Sequence, residues 1–179
     1  MDDEALALKA GQGDRGAFQE LLERHYDLVY RLAFRFTANQ ADAEDLAQDI
    51  CTGLARKIKS FQNNSRFTTW LYRVAVNASK DALRQRSTAS RLIENYAEAQ
   101  AMAQADEADD EKQSRWLYDA LDNLAEDLRE TAILVLAEDL SHAQAGSVLQ
   151  VKEGTISWRM SEVRKQLKQQ VQAGSGVTA

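Results

Sequence analysis

The chain has 179 residues, 44% hydrophobic and 28% charged, with a net charge of −6. That length holds one ordinary domain or two small ones, and that apolar content excludes a chain disordered throughout. Proline is absent and only eight glycines occur, too few turn formers for a sandwich or barrel, so the expected class is all-α.

The first amphipathic run starts near Asp14 and carries Phe18, Leu21, Leu22, His25, Leu28, Val29, Leu32 and Phe36. Those steps of three and four predict one helix of about six turns. Asn39 reads as its stop and as the N-cap of a second helix, Ala41 to Lys59, with Leu46, Ile50, Leu54 and Ile58 at intervals of four. Asp42, Glu44 and Asp45 at its start and Arg56, Lys57 and Lys59 at its end complement the helix dipole. A polar stretch, Gln62 to Ser65, precedes a third helix from Arg66 to Arg86. From Ser87 to Ser114 the apolar period fades, which predicts a connector with at most transient helix. Periodicity returns from Trp116 to Leu124 and from Leu128 to Leu136. Two helices follow, Ser141 to Leu149 and Thr155 to Gln170, before a frayed tail.

The net charge hides its own distribution. From Arg56 to Arg86 eight bases face one acid, and from Glu94 to Glu111 seven acids occur without a base. From Ser141 to Gln172 five bases accompany Glu153 and Glu162. Two basic segments therefore bracket an acidic connector, a pattern that suits nucleic acid.

Ser141 and Gln144 fit a capping box. Ala145, Val148 and Leu149 form one buried face; after a short turn and Thr155 as N-cap, Ile156, Met160, Val163 and Leu167 form another. Ser157, Trp158, Ser161, Arg164, Lys165 and Lys168 are left outward, the layout of a helix-turn-helix whose second helix enters the major groove. A plain helical hairpin with a solvated basic face has the same pattern.

On a helical wheel Arg66, Trp70, Arg73, Asn77, Lys80 and Arg84 fall within an arc of about 80°. Phe67, Leu71, Val74, Ala75 and Ala78 form a separate inward face. A cationic stripe containing an indole suits separated DNA strands, because phosphates meet cations and a base stacks on a ring. Asn63 and Asn64 in the preceding loop supply amides for an unpaired base edge. A solvated cationic face with Trp70 packed inside accounts for the stripe equally well.

Other chemistries lack residues. Cys51 is the one cysteine and is expected as a small core residue. His25 and His142 lack metal-ligand spacing, so no metal or cofactor is expected. No catalytic set or phosphate loop is visible, so no enzyme is expected. No signal peptide is evident and no apolar run nears the ~20 residues that span a bilayer, so a cytoplasmic protein without membrane insertion is expected.

Three segments together resemble the extracytoplasmic-function sigma factors. ADAEDLAQDI (Ala41 to Ile50) resembles their D-A-E-D-L-x-Q-E/D segment, and FTTWLYRVAVNASKDALR (Phe67 to Arg84) resembles F-x-T-W-L-Y-R-I-A-x-N. GTISWRMSEVRKQL (Gly154 to Leu167) resembles their recognition helix. The resemblance implies an all-α, two-domain fold: a region-2 domain at 1–86, an acidic linker at 87–113, a region-4 helix-turn-helix at 114–172 and a tail at 173–179. It implies an alternative sigma factor that binds the clamp helices and flap of core RNA polymerase, recognises double-stranded −35 DNA and melts the −10 element. Asp45, Gln48 and Asp49 fall on the implied polymerase-binding surface. Asn63, Asn64, Arg66, Trp70, Arg73, Asn77, Lys80 and Arg84 fall on the surface for the melted non-template strand. Thr155, Ser157, Trp158, Arg159, Ser161, Arg164, Lys165 and Lys168 fall on the −35 surface. An anti-sigma factor is a further implied partner. Trp158 stands where a serine is common in the family and Glu162 where an arginine often sits, so the family's upstream base preference is not carried over. The alternatives are a decoy that sequesters an anti-sigma factor and a helix-turn-helix regulator.

Overall fold

The computed structural model describes residues 1–93 and 109–175; among these the regular structure is helical, without strands. The chain divides into two compact units: Met1–Ala82 with Gly146–Val151, and Leu83–Ala145 with Lys152–Ala179.

The first unit opens with α1 (Asp3–Gly11), then α2 (Arg15–Thr37), α3 (Gln40–Lys57), a 3-10 turn (Ile58–Ser60) and most of α4 (Phe67–Ile93). Helix α1 lies ahead of the first run that the apolar period marks. It buries only Leu6, Ala7 and Ala10, a face too narrow to give a period, yet Asp2 caps it by accepting from Ala5 N at 2.8 Å. Asp14 and Asn39 cap α2 and α3, accepting from Ala17 N and Asp42 N at 3.0 Å each. Helix α1 packs on α2 and on the 3-10 turn, and α2 packs on α3. Val29, Leu32, Ala33 and Phe36 of α2 and Leu46, Ala47, Ile50 and Leu54 of α3 are buried. Cys51 is half-buried at the edge of this core, and burial pushes its thiol pKa up.

Helix α2 ends at Ala38, which is left-handed with φ 51° and ψ 22° and donates to Phe34 O at 2.8 Å. A β-carbon costs about 1–2 kcal/mol in that conformation. Glycine removes the strain and returns about 0.5–1 kcal/mol as unfolded-state entropy. Ala38→Gly is therefore expected to stabilise by about 0.5–1 kcal/mol, read as a midpoint a few degrees higher in thermal melting.

The second unit contains the end of α4, α5 (Asp109–Asp122), α6 (Glu126–Ala132), a π-turn (Ile133–Ala137), the first half of α7 (His142–Leu149) and all of α8 (Glu153–Ser175). Leu121, Leu124, Leu128, Ala132 and Val163 form its core cluster, with Tyr118 and Leu167 packed against it. Helices α4 and α5 reach into the stretch expected as connector, to Ile93 and from Asp109, and the remainder of that stretch lies outside the described residues.

The capping box at the start of α7 is reciprocal: Gln144 N donates to Ser141 Oγ at 3.1 Å and Ser141 N to Gln144 Oε1 at 2.8 Å. Gln150 closes α7 in the left-handed region with φ 58°, and Val151 N donates back to Gly146 O at 3.0 Å. Helix α8 starts earlier than the sequence suggests. Lys152 O accepts from Thr155 N at 2.9 Å and from Ile156 N at 3.3 Å, so Gly154 and Thr155 lie inside the first turn and Thr155 is not the N-cap.

Candidate nucleic-acid interface

Helix α4 takes its first intrahelical bond at Trp70 N, which donates to Arg66 O at 3.2 Å. Its buried arc is Phe67, Leu71, Tyr72, Ala75, Val76 and Ser79. Val74 and Ala78, expected inward, are half-buried; the inward face is rotated toward Tyr72, Val76 and Ser79. The polar stripe lies on about the opposite side of the helix from this arc. Along it Arg66, Asn77 and Arg84 are exposed and Trp70, Arg73 and Lys80 half-buried. Arg73 donates to Ser147 O at 2.7 Å and to Val148 O at 3.2 Å, and Arg84 pairs with Glu126, so both would exchange these partners for phosphates on binding a strand. The indole of Trp70 sits 5.7 Å from the Phe61 ring and 5.8 Å from the Phe67 ring. That aromatic packing fixes where the ring's remaining surface points.

The loop before α4 exposes Asn63 and Asn64. Asn63 is left-handed with φ 56°, a conformation asparagine tolerates better than most residues. Asn64 Nδ2 donates to Gln62 Oε1 at 3.3 Å. Asn63, Asn64, Ser65, Arg66 and Thr68 form one wall of an open groove of about 680 Å³. The other wall is Asp2, Asp3, Glu4 and Arg24, residues that the reading of the sequence did not single out. Their signal was local: an aspartate followed by two more acids and a lysine seven residues on is the charge order of a short helix. Asp3 accepts from Arg24 at 2.8 Å and pairs with His25 at 2.7 Å. Burial alone would raise its carboxyl pKa, but the hydrogen bonds and charges of Arg24 and His25 outweigh burial and hold it below the usual value. A carboxyl so depressed stabilises the fold fully above its unfolded pKa and loses that contribution as pH falls through the folded one.

On α3, Asp45, Gln48 and Asp49 are exposed together, on the side away from Leu46, Ile50 and Leu54.

On α8, Ile156, Met160 and Val163 are fully buried. Ser157, Ser161, Arg164, Lys165 and Lys168 are exposed, and Trp158 is 63% exposed. Ser157 Oγ lies 2.9 Å from His142 Nδ1. Thr155 is half-buried. Arg159 is not brought together with the outward group. Its side chain, 14% exposed, turns toward Asp127 at 3.6 Å and Glu130 at 3.4 Å on α6. Glu162 is half-buried and accepts from Gln166 Nε2 at 2.9 Å.

No helix among the described residues is long and apolar enough to cross a membrane. No cluster among them could hold a metal ion.

Residues 21–89 match the family described as Sigma-70 region 2, so the class is that of the sigma-type transcription subunits. The chain is 34% identical over 174 residues to the ECF RNA polymerase sigma factor SigE of Mycolicibacterium smegmatis, covering 93% of this chain and 67% of that protein. It is 30% identical over 183 residues to the ECF RNA polymerase sigma-E factor of Haemophilus influenzae, covering 96% of each. The sigma factor RpoE of Bartonella quintana, solved with the anti-sigma factor NepR, superposes with a TM-score of 0.64 at 26% identity, over 87% of this chain and 96% of that one. The chain belongs to the ECF RNA polymerase sigma factors. Its function is that of an alternative sigma factor: it joins core RNA polymerase and directs promoter-specific initiation.

Proposed function

We propose that the work of initiation is divided among three surfaces. The stripe on α4 and the Asn63–Arg66 loop hold the separated non-template strand of the −10 element. The outward residues of α8 read the −35 duplex. Asp45, Gln48 and Asp49 meet the polymerase clamp. The observation that carries this reading is the single face of α4: Arg66, Trp70, Arg73, Asn77, Lys80 and Arg84 share one side, away from the buried arc. Cations along a strand neutralise its phosphates, while the amides and the indole offer hydrogen bonds and a stacking surface.

The chain itself performs no catalysis in this reading; the bond-forming chemistry belongs to the polymerase. It works in the cytoplasm, where its polymerase and promoters are. An anti-sigma factor holds it inactive, a partner supported by the similarity to the Bartonella protein solved with one.

Run-off transcription with purified core enzyme tests the division. Wild-type chain is expected to initiate at promoters of its own genome. Asn77→Ala is expected to lower open-complex formation about fivefold, the size of one lost hydrogen bond, with core binding unchanged. Loss of core binding instead would remove Asn77 from the strand surface.

A further inference from the structure

We propose that Glu4 is a positioning residue for the strand-reading loop: from α1, its carboxylate caps α4 and so fixes the shape of the loop that leads into it. This deepens the strand-binding reading and rests on it.

The need for an outside cap is set by the local sequence. The first N–H groups of any helix have no intrahelical acceptor, and an N-cap side chain usually supplies one. At the start of α4 the N-cap position is Arg66, as the bond from Trp70 N to Arg66 O shows. A guanidinium carries only donors and cannot cap. The neighbouring Ser65 hydroxyl is turned to Arg66 O at 3.4 Å. The acceptor arrives from 63 residues away: Phe67 N donates to Glu4 Oε1 at 2.9 Å, in a partly buried setting. A carboxylate at this end also complements the helix dipole.

A cap can position a loop only if it is itself fixed, and α1 is held at both ends. Asp2 caps it at one end, and Asp3 ties it to Arg24 and His25 of α2. At the other end Gly11 lies so close to the 3-10 turn that a β-carbon there would stand 3.2 Å from Ile58 O. Phe67 is pinned too, with its ring 5.3 Å from His25 and 5.8 Å from Phe61. Between these anchors the Asn63–Arg66 loop has one fixed exit, and Glu4 sets it. The family match begins at residue 21, so this support comes from chain that precedes the matched segment.

The test uses the full chain assembled with core polymerase and a pool of fluorescent DNA single strands randomised over six positions. Bound strands are sequenced, and affinity for the selected strand is measured for wild type, Glu4→Ala and Glu4→Gln. Glu4→Ala is expected to weaken strand binding about fivefold, the size of a lost cap, and to flatten base preference at one position. Glu4→Gln keeps an acceptor oxygen and is expected to restore most of both. Core affinity is expected to stay at the wild-type value in all three. The same base profile for Glu4→Ala and wild type overturns the proposal, as does a parallel loss of core affinity or failure of glutamine to rescue. A wild-type holoenzyme that selects no sequence from the pool overturns the strand-binding reading itself, and this proposal falls with it.

Discussion

Replacing Arg164, Lys165 and Lys168 together by alanine is expected to lower the slope of log affinity against log salt for upstream duplex DNA by about three. Each of these side chains is exposed on α8. Each phosphate neutralised releases counterions worth about 0.9 in that slope. The loss is expected on matched and mismatched sequences alike, because phosphate contacts position the protein and carry no base information. Arg159→Ala is the internal comparison. Its guanidinium is committed to Asp127 and Glu130, so it is expected to lower thermal stability and leave the slope unchanged. Fluorescence anisotropy across a salt series reads both. A slope that stays the same in the triple variant, or falls in Arg159→Ala, would reverse the assignment of the two sets.

The second large effect is on folding. Leu128 is 4% exposed and sits in the cluster with Leu121, Leu124, Ala132 and Val163. Leu128→Ala is expected to cost about 2–5 kcal/mol, the transfer energy of the lost methyl groups plus the cavity left behind. A unit of this size has little more than that to lose. The helix-turn-helix is therefore expected to melt below the first unit and upstream DNA affinity to collapse, while strand binding survives. Leu128→Met conserves volume and is expected to cost less than about 1.5 kcal/mol. Differential scanning calorimetry of the full chain distinguishes the two. A single cooperative loss of both units would show that the first unit depends on the second.

Much of the helical layout is legible in the sequence because periodicity is a strong local signal. The stripe on α4, the Asn39 cap and the Ser141–Gln144 capping box all depend on residues within one or two turns of each other. What stayed hidden depends on partners far away in the chain. Arg159 lies near the edge of the buried arc set by Ile156 and Met160, so its direction is decided by the acids of α6, which no wheel of α8 contains. Glu4 is invisible as a cap for the same reason, its donor being 63 residues distant. Helix α1 lacks a wide apolar face, and so the sequence began, to the eye, at Asp14. The start of α8 differs from the sequence expectation because Gly154 and Thr155 read as turn and cap, while the backbone bonds to Lys152 O already begin the helix.

The continuity of α4 has a consequence for the promoter as an object of fixed size. From Arg66 to Arg84 the helix advances about 27 Å at its ordinary rise per residue. An unbroken hydrogen-bonded rod neither stretches nor shortens, so in the proposed strand complex the protein, and not the DNA, sets the length of strand held. Inserting one residue midway, near Asn77, is expected to turn everything beyond it by about 100° and to carry Lys80 and Arg84 off the face proposed to follow the phosphates. If α4 holds the strand as proposed, the helix is a gauge that measures the bubble as well as holding it.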